Sequence, residues 1–207
     1  MEHALFYLQV LGVGIFAASG AIVAAENKFD VIGATFLSVA AGLGAGTIVN
    51  LLTDQPVRWL ARPELLWAAL VAAVTVFELV RYVKAPERFL VWADAVGLAI
   101  FTATGMKALL ALNYDPAVTL FLSAIGASGG GMIRDVLVNR PPLVFSGEIY
   151  VTAAVLGSLT YLMLTLLGFP EWWAPTSAIL VTFLLRAAGI TFQIRLRTGR
   201  IKSGQSM

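Results

Sequence analysis

The chain has 207 residues, of which 59% are hydrophobic and 13% charged, with a net charge of +2 and a mean hydropathy of +0.85. Soluble domains carry roughly a quarter charged residues, so a water-soluble globule is excluded for want of polar surface. The lack of cysteine removes disulfides, thiolate metal sites and cysteine nucleophiles. The one histidine, His3, stands at the extreme N-terminus, the place of a solvated terminal residue and not of a ligand.

A helix needs about 20 mainly apolar residues to cross the hydrocarbon, and seven such windows follow one another. The first is Ala4–Ala25, which reads as a span and not as a leader because no small-residue cleavage pattern follows it. Val31–Leu52, Glu64–Val83, Phe89–Leu112, Pro116–Val138, Ile149–Leu167 and Trp173–Ile194 complete the series. The breaks between them are polar or hold proline, as in Asp54-Gln55-Pro56, Lys84-Ala85-Pro86 and Asn139-Arg140-Pro141-Pro142. Trp59, Trp67, Trp92, Trp172 and Trp173 fall near span ends, where an aromatic belt lies.

Seven spans put the two termini on opposite sides. The odd-numbered loops and the C-terminal tail hold Lys28, Arg81, Lys84, Arg88, Arg140, Arg195, Arg197, Arg200 and Lys202, whereas the other side holds only Arg58 and Arg62. The positive-inside rule then predicts a cytoplasmic C-terminus, an external N-terminus and a multi-pass protein of the cell membrane. The basic tail, directly after a span, reads as charge for anionic lipid and not as a nucleic-acid site.

Shifted by 85 positions, the chain matches itself. Gly12 falls on Gly97, Ile15-Phe16 on Ile100-Phe101, Asp30 on Asp115, Phe36-Leu37-Ser38 on Phe121-Leu122-Ser123, Gly44 and Gly46 on Gly129 and Gly131, and Pro56 on Pro141. Each repeat holds three spans, an odd number, so the second copy enters the membrane inverted. The predicted fold is an all-α membrane protein of two inverted three-helix repeats plus a seventh helix. It divides into residues 1–86, 87–169 and 170–207, the last holding the seventh helix and the tail. Inverted repeats are a common plan for proteins that pass small solutes where the halves meet.

Two glycine clusters interrupt apolar spans: Gly42-Leu43-Gly44-Ala45-Gly46 in the second and Gly126-Ala127-Ser128-Gly129-Gly130-Gly131 in the fifth. Glycine costs about 1 kcal/mol against alanine inside a helix, so the triplet marks a break, a kink or an unusually close approach. An unwound stretch frees backbone carbonyls, which suit cations in transport sites. The alternative is tight packing, because both clusters also match the small-xxx-small pattern. A dinucleotide-loop reading of the first cluster fails, since no strand precedes it.

Charges inside spans are functional candidates by default. Lys107 replaces the apolar Ile22 of the first repeat, so repeat symmetry does not explain it. It either guards a cation path or snorkels to the outer interface. Arg134-Asp135 stands where the first repeat has Val49-Asn50. Neighbours at i and i+1 do not face each other on a helix, so each is expected to find another partner, lining or bracing a pore, unless Arg134 snorkels. Glu78 can pair with Arg81, Asp94 reads as structural, and Arg186 needs a buried partner or a headgroup. Signatures of catalysis are missing: there is no P-loop, HExxH or GxSxG, and Ser19, Ser38, Ser123 and Ser128 have no histidine to activate them.

Together the two repeats, the glycine clusters, Gly129-Gly130-Gly131-Met132-Ile133-Arg134-Asp135 and Lys107 resemble a prokaryotic trimeric intracellular cation channel, over about residues 5 to 195. The resemblance implies a homotrimer in membrane lipid, each subunit passing potassium and sodium between kinked second and fifth helices. The ion path would use Gly44, Gly46, Ser38, Ser123, Ser128, Gly129, Gly130 and Gly131, with Lys107, Arg134 and Asp135 gating or bracing it. The chain departs from the pattern where Ala45 interrupts the first triplet and where Val49-Asn50 replaces a charged pair. No cofactor is implied beyond the permeant ion, and bound lipid is compatible. Related bacterial sequences have been described as glycine transporters, so the rival reading is a secondary transporter of a small zwitterion. A third is a lipid-binding or assembly scaffold without a through-path.

Overall fold

The computed structural model describes residues 2–83 and 88–194. Lys84 and the basic residues Arg195, Arg197, Arg200 and Lys202 lie outside them. The helices are α1 (Glu2–Glu26), α2 (Val31–Leu52), α3 (Arg58–Ala61), α4 (Glu64–Val80), α5 (Phe89–Leu110), α6 (Pro116–Leu137), α7 (Val151–Leu166) and α8 (Trp173–Phe192). The seven longer ones are the predicted spans, and α3 is a single added turn. Five are long and apolar enough to cross a membrane. At 17 and 16 residues, α4 and α7 reach only about 25 Å at 1.5 Å per residue. The chain is an all-α, multi-pass membrane protein.

Helix ends repeat at the spacing of 85. Asp30 caps α2 by accepting from the Gly33 amide at 2.7 Å, and Asp115 caps α6 by accepting from the Ala117 amide at 2.8 Å. Such caps satisfy amides that have no partner within their own helix. Lys28 and Asn113 share a left-handed backbone, with φ of 59° and 55°, as do Asp54 and Asn139, with φ of 52° and 56°. After α2 the Gln55 amide donates to Asn50 O at 2.8 Å, and after α6 the Arg140 amide donates to Asp135 O at 2.8 Å. A 3-10 turn at Leu143–Phe145 stands where the first repeat has α3.

The repeats meet through equivalent residues. The Phe16 and Phe101 rings, 85 positions apart, touch with centroids 5.6 Å apart. A Cβ on Gly12 would stand 2.9 Å from Ile100 Cγ2, and one on Gly97 would stand 2.7 Å from Phe16 Cε2. A pseudo-twofold axis therefore runs between α1 and α5, which are the most enclosed spans, each with 56% of its apolar window buried. The same axis relates α2 to α6, which pack directly together. α8 packs on α5 and α7, without a counterpart in the first repeat.

The expected glycine breaks are not found: α2 and α6 are continuous helices through both clusters. Their glycines serve close approach instead. A Cβ on Gly130 would lie 2.3 Å from Ala41 O, and one on Gly129 would lie 2.8 Å from Ala45 Cβ. Backbone contact at the α2–α6 crossing is incompatible with side chains there. Carbonyls that remain in the helical ladder are not free to take up a cation.

Candidate functional site

A cavity of about 220 Å³ lies between α1, α2, α5 and α6. It opens at the face where α1 begins and where α2 and α5 end. Gln9, Thr47, Asn50, Thr104 and Ser123 give it polar walls, and Val13, Gly42 and Phe101 line it with apolar surface. Gly46 faces it with open space in place of a side chain. Ser123 Oγ also shares a 2.9 Å hydrogen bond with Ser158 Oγ. At the mouth, Trp59 Nε1 donates to Thr47 Oγ1 at 3.0 Å, and Arg58 Nη1 donates to Gln9 Oε1 at 3.2 Å.

Toward the opposite face, on the far side of Phe16, lies an ionic cluster. Arg134 is fully buried. Its Nη1 and Nη2 donate to Asp94 Oδ1 and Oδ2 at 2.7 and 3.3 Å. Its Nε donates to Asp135 Oδ1 at 2.9 Å, and its Nη1 also reaches Ser19 Oγ at 2.9 Å. Arg134 does not snorkel, and the expectation that it would not face its neighbour is corrected. The long guanidinium arm turns back, so Asp135 meets it although their Cα–Cβ bonds diverge. The partner that reasoning along one helix missed is Asp94, which shields Arg134 from a second helix.

Cavity and cluster are related by the repeat. At the spacing of 85, Gln9 corresponds to Asp94, Val49 to Arg134, Asn50 to Asp135, Thr104 to Ser19 and Gly46 to Gly131. Gly46 opens on the cavity. Gly131 instead leaves room for Asp94 Oδ2 and the Tyr150 hydroxyl, each 3.1 Å from where its Cβ would stand. The same interhelical position thus holds a cavity in the half formed around Asn50 and buried ion pairs in the half formed around Asp135. The signals for this in the sequence were the replacements of Val49-Asn50 by Arg134-Asp135 and of Gln9 by Asp94.

The other candidate residues are placed as follows. Ser38, the mate of Ser123, is buried with its backbone against Gly20. Ser128 Oγ donates back to Ala124 O at 2.6 Å. Gly44 stands against Ile133 Cδ1. Lys107 is outside the cavity lining. It lies on the flank of α5 shared with Ala103, Met106 and Leu110, which pack on α7 and α8, and its Nζ donates to Glu171 Oε1. That ammonium holds the exposed Glu171 carboxyl below its ordinary range, by the hydrogen bond first and by charge second. Arg186 finds its partner in Glu148, at 2.9 Å, and stacks 5.0 Å above the Tyr150 ring. Glu78 pairs with Arg81 at 3.0 Å. Around Arg58 the only clear effect is burial, which lowers its affinity for a proton.

Comparison with known proteins gives a consistent relationship. A family model described as Glycine transporter matches twice, over residues 6–81 and 91–165, so the two matches begin 85 residues apart. The inner membrane protein YadS of Escherichia coli (strain K12) is 32% identical over 94% of this chain and 95% of its own. A trimeric intracellular cation (TRIC) channel orthologue from Rhodobacter sphaeroides superposes with a TM-score of 0.88 at 34% identity, over 92% of this chain and 99% of its own. A prokaryotic TRIC channel crystallised in potassium chloride gives a TM-score of 0.87 at 29% identity, over 95% of this chain and 100% of its own. This chain therefore belongs to the family described as Glycine transporter and is a homologue, non-enzymatic and membrane-spanning, of the prokaryotic trimeric intracellular cation channels.

Proposed function

We propose that the chain is a monovalent-cation channel, passing potassium and sodium, and that it works as a homotrimer in the cytoplasmic membrane with one path in each subunit. The single observation that carries this reading is the repeat-related pairing of cavity and ion cluster. A polar cavity on one side of the pseudo-twofold axis has its mate on the other side plugged by Arg134, Asp94 and Asp135. A path running through both halves, along the α2–α6 interface, crosses the whole bundle. Hydroxyl and amide oxygens of Ser123, Thr104, Thr47 and Asn50 replace water around the ion weakly enough for it to leave. Gly44, Gly129 and Gly130 shape that path by letting α2 and α6 approach, while Ser38 packs on α1, Ser128 bonds back within α6 and Gly131 makes room for Asp94.

The Rhodobacter sphaeroides relative is a trimeric intracellular cation channel, which supports both the ion and the assembly. YadS is an inner membrane protein, which supports the location, and the bias of positive residues supports an external N-terminus with the cavity opening outward. Opening then requires the Arg134 cluster to separate or shift, and the Lys107–Glu171 pair couples α5 to the α7–α8 loop during that motion.

The family description favours a second reading, alternating-access transport of a small zwitterion such as glycine. The two are separated by recording purified protein in a planar bilayer under a potassium gradient. A channel gives unitary current steps with a reversal potential near that of potassium. Absence of steps with glycine-dependent uptake in the same preparation overturns the channel reading.

A further inference from the structure

Only Arg58 and Arg62 break the positive-inside pattern, and the structure gives them different tasks. Arg62 lies over the Phe6 ring, its guanidinium carbon 5.1 Å from the centroid. Arg58 lines the cavity itself. Among the residues whose side chains are described it has no carboxylate within ion-pair distance, and its side-chain partner there is the neutral Gln9 Oε1 at 3.2 Å. Among the described residues the cavity lining contains no Asp or Glu and no other Lys or Arg, so Arg58 is the one formal charge in it. The repeat sharpens the contrast. Asp94, the mate of Gln9, neutralises a buried arginine in the other half, whereas Gln9 offers Arg58 an amide only. In the second repeat the position of Arg58 is the apolar Leu143.

We infer that Arg58 is an electrostatic barrier at the mouth of the cavity, a specificity-determining residue that limits cation entry from that face. The inference rests on the channel reading above. A fixed positive charge beside a narrow entrance raises the cost of a cation there, as arginine does in other selective pores. Its reach depends on salt, because the Debye length is about 30 Å at 0.01 M and 3 Å at 1 M. The barrier makes wild-type current rectify, with inflow from the Arg58 side suppressed at low salt.

The test is bilayer recording of wild type, Arg58→Gln and Gln9→Glu at about 10 mM and 1 M potassium chloride. Gln9→Glu places a carboxylate where the amide now accepts from Arg58, so it cancels the charge and leaves the arginine in place. Both variants are expected to raise entry current from that face roughly tenfold at the low salt and less than twofold at the high salt. The chain has no cysteine, so Arg58→Cys carries a unique thiol for charge exchange. A positively charged thiosulfonate reagent should suppress the entry current of Arg58→Cys again, and a negatively charged one should raise it further. Wild-type current with identical responses to both reagents and no change in Gln9→Glu overturns the inference and leaves the channel reading standing. No wild-type current at all removes the channel reading itself.

Discussion

Arg134 and its carboxylates make a demanding test, because all three side chains are buried. The Arg134 and Asp94 side chains are both 0% exposed and Asp135 is 7% exposed. Removing one partner from such a buried pair costs about 3–5 kcal/mol, mainly because the remaining charge is left without compensation. The loss should be unequal. Asp94→Leu leaves Arg134 with Asp135 at 2.8–2.9 Å. Arg134→Met leaves two buried carboxylates and no cation, so it falls at or above the upper end of that range. The double variant Asp94→Leu/Arg134→Met removes the principal pair together, and its loss should be smaller than the sum of the single losses by at least about 2 kcal/mol. Denaturant titration of the protein in micelles measures all four corners of this cycle. Losses that add to within about 0.5 kcal/mol, as independent sites do, refute the argument that the two side chains stabilise each other.

Gly130→Ala brings a methyl group against Ala41 O and should cost about 1–3 kcal/mol as overpacking, read as a lower thermal midpoint in detergent. Gly130→Leu should abolish current; normal current in a folded Gly130→Leu trimer would remove the α2–α6 interface from the path. Gly46 faces open space, so Gly46→Leu should leave the thermal midpoint unchanged while cutting current severalfold, and unchanged current would take the cavity out of the route. Lys107→Ala and Glu171→Gln should alter open probability alike at neutral pH. The Glu171 pKa is depressed by Lys107, so the pair is intact above its ordinary value of 4.5 and is lost as pH falls through the lowered value. Wild type should approach both variants only in that acidic window, and unaltered gating in either variant across the voltage range would count against a role for the pair.

Much of the fold was legible because membranes impose a strong code. Val31–Leu52 begins and ends as predicted, and the other spans differ by a few residues at their frayed or capped ends. The offset of 85 was readable from glycines, aspartates and prolines that low-complexity apolar sequence does not keep in register. The state of the glycine clusters was not readable, since glycine equally permits a kink and a close approach. Which one occurs depends on whether Ala41 and Ala45 of another helix stand opposite. Arg134 was visible as a charge in a span, but Asp94 lies 40 residues away and only packing brings the two together. Lys107 read equally as a guard of a path and as a snorkelling lysine, and the flank of α5 it occupies was not readable: Thr104, three residues earlier, lines the cavity, while Lys107 turns to Glu171. Arg58, two residues after Pro56 in a predicted loop, gave no sign of lining anything until α3 placed it in the cavity wall.

Potassium efflux from liposomes carrying the purified protein, followed against increasing external glycine, separates a channel from a carrier. Conduction through an open path predicts fast efflux that rises in proportion to the potassium gradient, does not saturate and is indifferent to glycine. Slow efflux accompanied by saturable glycine uptake would contradict it and turn the cavity between α1, α2, α5 and α6 into a substrate site.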